Sequence, residues 1–225
     1  WLSECNHHRE TLQADLAAVS FSRLNERFRP AFNLAKLFWE QRLVQLSTGN
    51  FDAFAFVFDM NRLFEDFVGN FLQRHHKRIL QGIWQDGVFR LQAKGQRVHL
   101  AERTIPGQVS GKSVFRLIPD ILLEAPSGAP YMIADTKYKR LSPQLADGGV
   151  TEGDAYQMLA YARKWNCSDV LLIYPSSSPY PTQFILRTTG FNDVNIRVME
   201  LNLHQPLENP AGLINELQLA FKPDW

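Results

Sequence analysis

Two aspartates and a lysine are the side chains of this sequence with the clearest potential for chemistry. Asp120 directly precedes a strand-like segment, Ile121–Glu124, and Asp135 and Lys137 lie within a second one, Tyr131–Tyr138. A turn rich in proline and glycine separates the two segments, which predicts a β-hairpin. Carboxylates and an ammonium gathered by a hairpin could bind a metal ion and stabilise negative charge on a substrate.

The symmetry of the predicted hairpin brings the two carboxylates together. Counted outward from the turn, the opposed pairs are Leu122 with Ile133, Asp120 with Asp135, and Ile118 with Lys137. Opposed residues of an antiparallel pair have Cβ atoms roughly 4.5–5.5 Å apart, and like charges there are destabilising. Because strand side chains alternate with a period of two, Lys137 shares a face with Asp135. A divalent cation between the carboxylates would remove their repulsion.

Four segments of the sequence resemble a known family. They are Phe58–Glu65, Arg116–Ile121, Ile133–Lys139, and Asp154–Gln157 followed by Tyr161. In this order they resemble the PD-(D/E)xK nuclease superfamily and, within it, McrC, the nuclease subunit of the McrBC modification-dependent restriction systems. The resemblance extends from about Phe51 to Tyr174.

The resemblance implies a Mg²⁺-dependent nuclease site, with Mn²⁺ able to substitute. The implied metal ligands are Asp120, Asp135, the carbonyl of Thr136, and Glu65, and the implied catalytic residues are Asp120, Asp135, Lys137, Gln157 and Glu65. Mg²⁺ usually takes one or two carboxylates, and waters and substrate phosphates complete its shell. Lys137 is kept charged by the nearby carboxylates and would stabilise developing negative charge. Gln157 would help to place the attacking water or the scissile phosphate.

Two of these assignments have simpler alternatives. Gln157 and Tyr161 are one turn apart on a predicted helix, where they could bond only to each other or to the edge of the sheet. Glu65 could be an ordinary exposed glutamate of its helix. Both alternatives leave the Asp120, Asp135 and Lys137 assignments unchanged.

Basic residues are concentrated ahead of the hairpin. Between Phe67 and Pro119 there are nine Lys or Arg residues and two acidic ones, a balance of +7 in a chain whose formal net charge is +1. A basic region beside an acidic metal site suits a polyanionic substrate, because cations hold the phosphates and carboxylates hold the ion. The predicted DNA contacts are Arg74, Lys77, Arg78, Lys139 and Tyr161.

The composition is that of a globular protein without a membrane span. The 225 residues are 45% hydrophobic and 21% charged, and the apolar runs are far shorter than the roughly 18 residues that a membrane helix needs. Two cysteines are too few for a disulfide scaffold or a thiolate metal site. We therefore expect a cytoplasmic location.

The hydrophobic pattern predicts an α/β fold, a restriction-endonuclease-like mixed sheet flanked by helices with an N-terminal helical region. Residues 1–50 are expected to be helical, because apolar residues recur at helical spacing from His8 to Ser47. We expect this region to be the end of a partner-binding part, and residues 51–225 to form the nuclease domain. Further along we predict helices over 59–80, 151–165 and 207–221, and strands over 88–104, 169–174, 183–187 and 195–201.

The resemblance implies a DNA endonuclease subunit of a modification-dependent, 5-methylcytosine-type restriction system. The implied partners are double-stranded DNA and a GTP-driven McrB-like motor, since this chain has no G-x-x-x-x-G-K-[S/T] loop of its own. Two alternatives stay open. One is a stand-alone or helicase-linked PD-(D/E)xK nuclease of the RecB-like or junction-resolving kind, and the other is a catalytically idle scaffold that binds DNA or a partner.

Overall fold

A computed structural model gives the arrangement of most of the chain. It describes residues 18–23, 25–39, 43–48, 51–56, 59–83, 86–93, 97–107, 110–176, 178, 180–190, 193–205 and 209–222. The chain forms two compact units, Trp1–Phe58 and Asp59–Trp225. None of the helices within the described ranges is long and apolar enough to cross a membrane.

The first unit combines a helix with a β-hairpin. A 3₁₀ turn, Glu26–Phe28, leads into helix α1, Arg29–Trp39, and strands β1, Leu43–Thr48, and β2, Phe51–Phe56, pair antiparallel. The helical prediction is therefore wrong for residues 43–47. Their apolar spacing fits a strand as well as a helix, and pairing with β2 supplies the backbone hydrogen bonds. The part of the prediction before residue 18 lies outside the described residues.

The second unit contains the predicted hairpin and the helices around it. In chain order its elements are α2 Met60–Ile79, β3 Val88–Leu91, β4 Val98–Arg103, β5 Lys112–Leu117, β6 Ile121–Glu124, β7 Pro130–Thr136, α3 Glu152–Trp165, β8 Asp169–Ser176, β9 Gln183–Arg187, β10 Asn195–Asn202 and α4 Ala211–Ala220. Most of these bounds follow the sequence-based predictions closely, but strand β5 was not predicted and α4 begins later than predicted.

Six strands of this unit form one mixed sheet. Their order is β3-β6-β7-β8-β10-β9. The pairs β7/β8 and β8/β10 are parallel, and the other neighbours are antiparallel. The sheet is flanked by helices, which confirms the predicted α/β class and is compatible with a restriction-endonuclease-like fold. Strands β4 and β5 pair only with each other among the described residues.

The sheet buries both of its faces, and the alternation along its strands decides where the carboxylates point. Leu123 packs in the core that contains residues of α2 and α4, whereas Leu122 and Ile133 pack in the core that contains residues of α3. Successive strand residues point to opposite faces. Asp135, two positions from Ile133 on β7, therefore belongs to the face that α3 covers, whereas Asp120 lies just outside β6 and also borders α2.

Local side-chain caps begin the two helices that border the site. The Asp59 carboxylate accepts hydrogen bonds from the backbone N–H groups of Asn61 and Arg62, at 3.1 and 3.3 Å, and so caps α2. The Thr151 hydroxyl accepts from the N–H of Asp154 at 3.3 Å and caps α3. Both caps satisfy N–H groups that have no partner within the helix.

Candidate active site

The hairpin has the predicted register from Ile121 to Leu123, but a bulge after Leu123 places Glu124 opposite Pro130. Leu122 pairs with Ile133, and the ladder ends with Ile121 opposite Ala134. Beyond it the chains separate, because the N–H of Lys137 donates to the carbonyl of Ile173 on β8 at 2.9 Å. The predicted pairing of Ile118 with Lys137 is therefore wrong.

Asp120 lies just before β6 and is tied to the end of β7. Its Oδ2 accepts one hydrogen bond from the backbone N–H of Thr136 and one from the Thr136 hydroxyl, both at 2.7 Å. Burial raises the pKa of Asp120 to about 6, and the negative charge of Asp135 adds to this, against the effect of the Thr136 bonds. The repulsion between the two carboxylates that the register predicts is therefore present in the folded protein.

Asp135 is a buried carboxylate with one oxygen that accepts no hydrogen bond. The residue is 2% exposed, and its Oδ2 lies 2.5 Å from Lys137 Nζ. That contact is an ion pair, and no described group donates a hydrogen bond to this oxygen. Burial raises the pKa of Asp135, and Lys137 lowers it in part. A carboxylate oxygen left in this state can accept a cation without losing an existing hydrogen bond.

Lys137 stays charged and is held by two elements. Its ammonium contacts Asp135 on β7 and donates to Gln157 Oε1 on α3 at 2.9 Å. Burial works to lower the pKa of Lys137, but the negative charge of Asp135 outweighs it, and the pKa is raised. Lys137 is thus a fixed positive charge beside the carboxylates, which fits electrostatic stabilisation better than proton abstraction.

A chain of hydrogen bonds continues from Lys137 through α3. Gln157 Nε2 donates to the Tyr161 hydroxyl at 2.8 Å, and that hydroxyl donates to the carbonyl of Ile118 at 3.0 Å. Gln157 and Tyr161 do bond each other, as the simpler alternative held, but Gln157 also binds Lys137. Tyr161 is 2% exposed. It lies too deep to contact DNA, contrary to the sequence-based prediction, and it positions Gln157 instead.

Glu65 approaches from α2. It is half-buried, accepts a hydrogen bond from Gln92 Nε2 at 3.1 Å, and lines a cavity of about 150 Å³ together with Gln92 and Asp120. Burial raises the pKa of Glu65, Gln92 lowers it, and the charge of Asp120 raises it again. Glu65 is therefore a neighbour of Asp120 rather than an ordinary exposed glutamate. Sequence reasoning missed Gln92, because it lies at the end of β3 in the least regular stretch and carries no motif.

The residues present suit a hard divalent cation held by two carboxylates. Within the described ranges no three Asp, Glu, His or Cys side chains converge as a ready metal site, so Glu65 does not complete a three-residue cluster with Asp120 and Asp135. Mg²⁺ commonly takes only one or two carboxylates and fills its other positions with water and phosphate. Such an ion would relieve the mutual repulsion of Asp120 and Asp135 and would give the Asp135 oxygen that accepts no hydrogen bond a second partner beside Lys137.

The predicted DNA-binding lysine after the site is held by a buried acid. Lys139 Nζ forms an ion pair with Asp154 and donates to Thr151 Oγ1 at 3.3 Å. The hydroxyl of Tyr174 donates to Asp154 at 3.4 Å. The sequence indicated Asp154 only as part of the segment Asp154–Gln157, because its pairing with Lys139 depends on the path of the chain between them.

The three basic residues predicted on α2 are at the surface. Arg74, Lys77 and Arg78 lie in the last turns of the helix, and all three are exposed. Within the part of the chain that the structure describes, none forms an ion pair. They are therefore available to a polyanion, whereas Arg90 of the same basic region is paired with Glu124 at 2.6 Å.

Comparison with known proteins gives one family. A family model described as McrBC 5-methylcytosine restriction system component matches residues 3–175. This range contains Asp120, Asp135, Lys137 and Gln157. No curated protein matches the chain.

Proposed function

The chain belongs to the family of McrBC 5-methylcytosine restriction system components, and we propose that it is the subunit that cleaves DNA, as a Mg²⁺-dependent endonuclease. The single observation that carries the proposal is the pair of carboxylates at the end of the hairpin, half-buried Asp120 and buried Asp135, with the Lys137 ammonium against Asp135. Such an arrangement costs folding free energy, and a site for a cation and a phosphodiester explains why it is present.

Asp120 and Asp135 would hold the ion, and Glu65 lies beside Asp120 at the edge of the same site. Bound Mg²⁺ would neutralise phosphate charge and lower the pKa of a water molecule. The remaining work falls to residues of this chain. Lys137 places a positive charge where negative charge develops on the phosphate, and such fixed charges are stronger in a partly buried site than in water.

Gln157 and Tyr161 fix the position of that charge. The hydrogen-bond chain from Lys137 to the carbonyl of Ile118 joins β7, α3 and the segment just before Asp120. It therefore holds the lysine and the first carboxylate in one frame. Displacement of reacting groups by about 1 Å can cost a hundredfold in rate, so this frame is part of the proposed site.

The proposed partners are double-stranded DNA and a GTP-driven McrB-like motor. Membership of a McrBC family supports both. We expect the isolated chain to cut weakly, since a nuclease without control would destroy its host, and to gain activity when a motor delivers DNA to the site. Delivery would act by placing the phosphate in line with the attacking water.

The test is cleavage of plasmid DNA carrying 5-methylcytosine, and of unmodified plasmid, with Mg²⁺ or with EDTA. Each reaction is run with the chain alone and with a McrB-like motor and GTP. Asp135→Asn and Lys137→Met are compared with Asp86→Asn and Lys164→Met, which change exposed residues of the same types. We expect loss of activity in EDTA and in the two site variants, about 100- to 1,000-fold for Lys137→Met, and full activity in the two controls.

Four results would contradict the proposal. Cleavage in EDTA would exclude the metal, and wild-type activity in Asp135→Asn would exclude the carboxylate pair. Vigorous cleavage of unmodified plasmid by the chain alone would favour a stand-alone nuclease. If no condition gives cleavage although DNA binds, the idle scaffold would be the better description.

A further inference from the structure

Strands β4 and β5 form a two-stranded ribbon apart from the six-stranded sheet. Val98 and Leu117, opposed at one end of the ribbon, pack against the core on the α3 face. The rest of the ribbon is largely exposed, and its Phe115 side chain is 71% exposed.

One face of this ribbon carries three Lys and Arg side chains, two of them directly opposed. Arg103 pairs with Lys112, and His99 pairs with Arg116. His99 and Arg103 lie four positions apart on β4, so both pairs point to the same face. Like charges directly opposed in an antiparallel pair are destabilising. Across the part of the chain that the structure describes, none of the three Lys and Arg residues forms an ion pair. The acidic residue of β4, Glu102, lies on the other face.

The backbone of the ribbon departs from regular geometry between these pairs. Phe115 has φ 57°, in the left-handed region that bulky residues rarely adopt. The ladder omits the pairing of Phe115 with Leu100, although the pairs on either side keep one register. The irregularity therefore leaves Phe115 out of the ladder beside Arg116 and does not shift the strands.

The ribbon continues directly into the proposed active site. β5 ends at Leu117, and the next residues are Ile118, Pro119 and Asp120. The carbonyl of Ile118 accepts the hydrogen bond from Tyr161. A ligand held by the ribbon is thereby held at a set distance from Asp120, because only two residues separate β5 from that carboxylate.

We propose that this ribbon is a DNA-binding arm of the nuclease. Arg103, Lys112 and Arg116 bind phosphates of double-stranded DNA beside the bond positioned at Asp120 and Asp135. This inference depends on the function proposed above, because it takes DNA to be the substrate. A polyanion is the partner that removes the repulsion on the basic face, and a two-stranded ribbon is of a size that fits a DNA groove. Phe115 adds an uncharged contact to a sugar or a base.

The test measures the salt dependence of DNA binding by the full chain. The Kd for a fluorescent duplex of about 30 base pairs is measured in EDTA, so that no metal-dependent cleavage occurs. The salt concentration is varied from about 50 to about 200 mM, a range in which affinity depends strongly on phosphate contacts. The ribbon variant combines Arg103→Ser, Lys112→Ser and Arg116→Ser. The charge-matched control combines Arg163→Ser, Lys164→Ser and Arg187→Ser, which are exposed residues of α3 and β9.

The ribbon variant should lower the slope of log Kd against log salt by about 2.7, which is three phosphate contacts at about 0.9 each. The control should keep the wild-type slope. Phe115→Ala should weaken binding without changing the slope, because it removes no charge. Thermal melting checks folding, and the ribbon variant should melt no lower than wild type, since the opposed cations are gone.

An unchanged slope in the ribbon variant, or an equal fall in the control, would overturn the proposal. It would also be overturned if the variant kept its DNA affinity but lost binding to an acidic protein surface. Failure of the proposed function is a separate result. Wild-type plasmid cleavage by Asp135→Asn would refute the nuclease site, whatever the ribbon variant shows in EDTA.

Discussion

Replacing Asp120 by Asn should make the metal-free protein more stable at pH 7. The pKa of this carboxyl is raised from 3.8 to about 6, first by burial and then by the charge of Asp135. At 1.36 kcal/mol for each pH unit, this difference of about 2.2 means that ionised Asp120 costs about 3 kcal/mol of folding free energy at neutral pH. The side-chain carbonyl of Asn could still accept both hydrogen bonds from Thr136. We therefore expect a gain that approaches 3 kcal/mol.

The pH dependence gives the sign of the effect. Because the pKa of Asp120 is higher in the folded than in the unfolded state, the folded protein binds more protons between pH 3.8 and about 6. The wild type therefore gains stability as the pH falls through this window, whereas the Asn variant has no proton to bind there. The difference between the two proteins should shrink from about 3 kcal/mol at pH 7 towards zero near pH 4.

Urea unfolding in EDTA at pH 7, 5 and 4 measures this difference, with Asp86→Asn as the control for an exposed aspartate. Added Mg²⁺ should also narrow it at pH 7, because the ion binds the folded wild type and stabilises it. An Asn variant that is less stable than wild type at pH 7 would refute the reasoning. A gain in unfolding free energy that stays constant between pH 7 and pH 4 would also refute it, since the ionised Asp120 carboxylate would then not be the source of the cost.

Three other substitutions separate the roles of residues around the site. Tyr161→Phe should lower the cleavage rate by about tenfold or more, because Gln157 loses the hydroxyl that holds it. It should also lower the free energy of unfolding in urea by about 1 kcal/mol. An unchanged cleavage rate would show that Tyr161 is not part of the site. Lys139→Met should leave Asp154 buried without its cation and lower the free energy of unfolding at pH 7. The pKa of Asp154 is lowered in the wild type, so this loss of stability should lessen at low pH, where Asp154 becomes protonated. A loss of stability that does not depend on pH would point to packing. Asp59→Ala should cost about 1 kcal/mol by loss of the α2 cap and leave cleavage intact, and a lost activity would show that the cap also positions Glu65.

Local patterns in the sequence were enough for the hairpin and for the two helices beside it. A short turn joins β6 and β7, so the pairing of Leu122 with Ile133 could be predicted, whereas the bulge between Leu123 and Glu124 could not. The caps at Asp59 and Thr151 involve residues two or three positions away. Such short-range interactions depend on residue type and spacing, which a sequence displays directly.

Side-chain partners that are distant in sequence were decided only by the tertiary structure. The pairing of Lys139 with Asp154, the bond of Gln92 to Glu65, and the burial of Tyr161 all depend on where the loops bring separate elements. The strand β1 illustrates the same limit, because its apolar spacing fits a helix until β2 pairs with it. The sequence by itself therefore determined which residues could form the site, through residue type and local register. The tertiary structure decided which of them meet, because long-range contacts follow from the path of the whole chain.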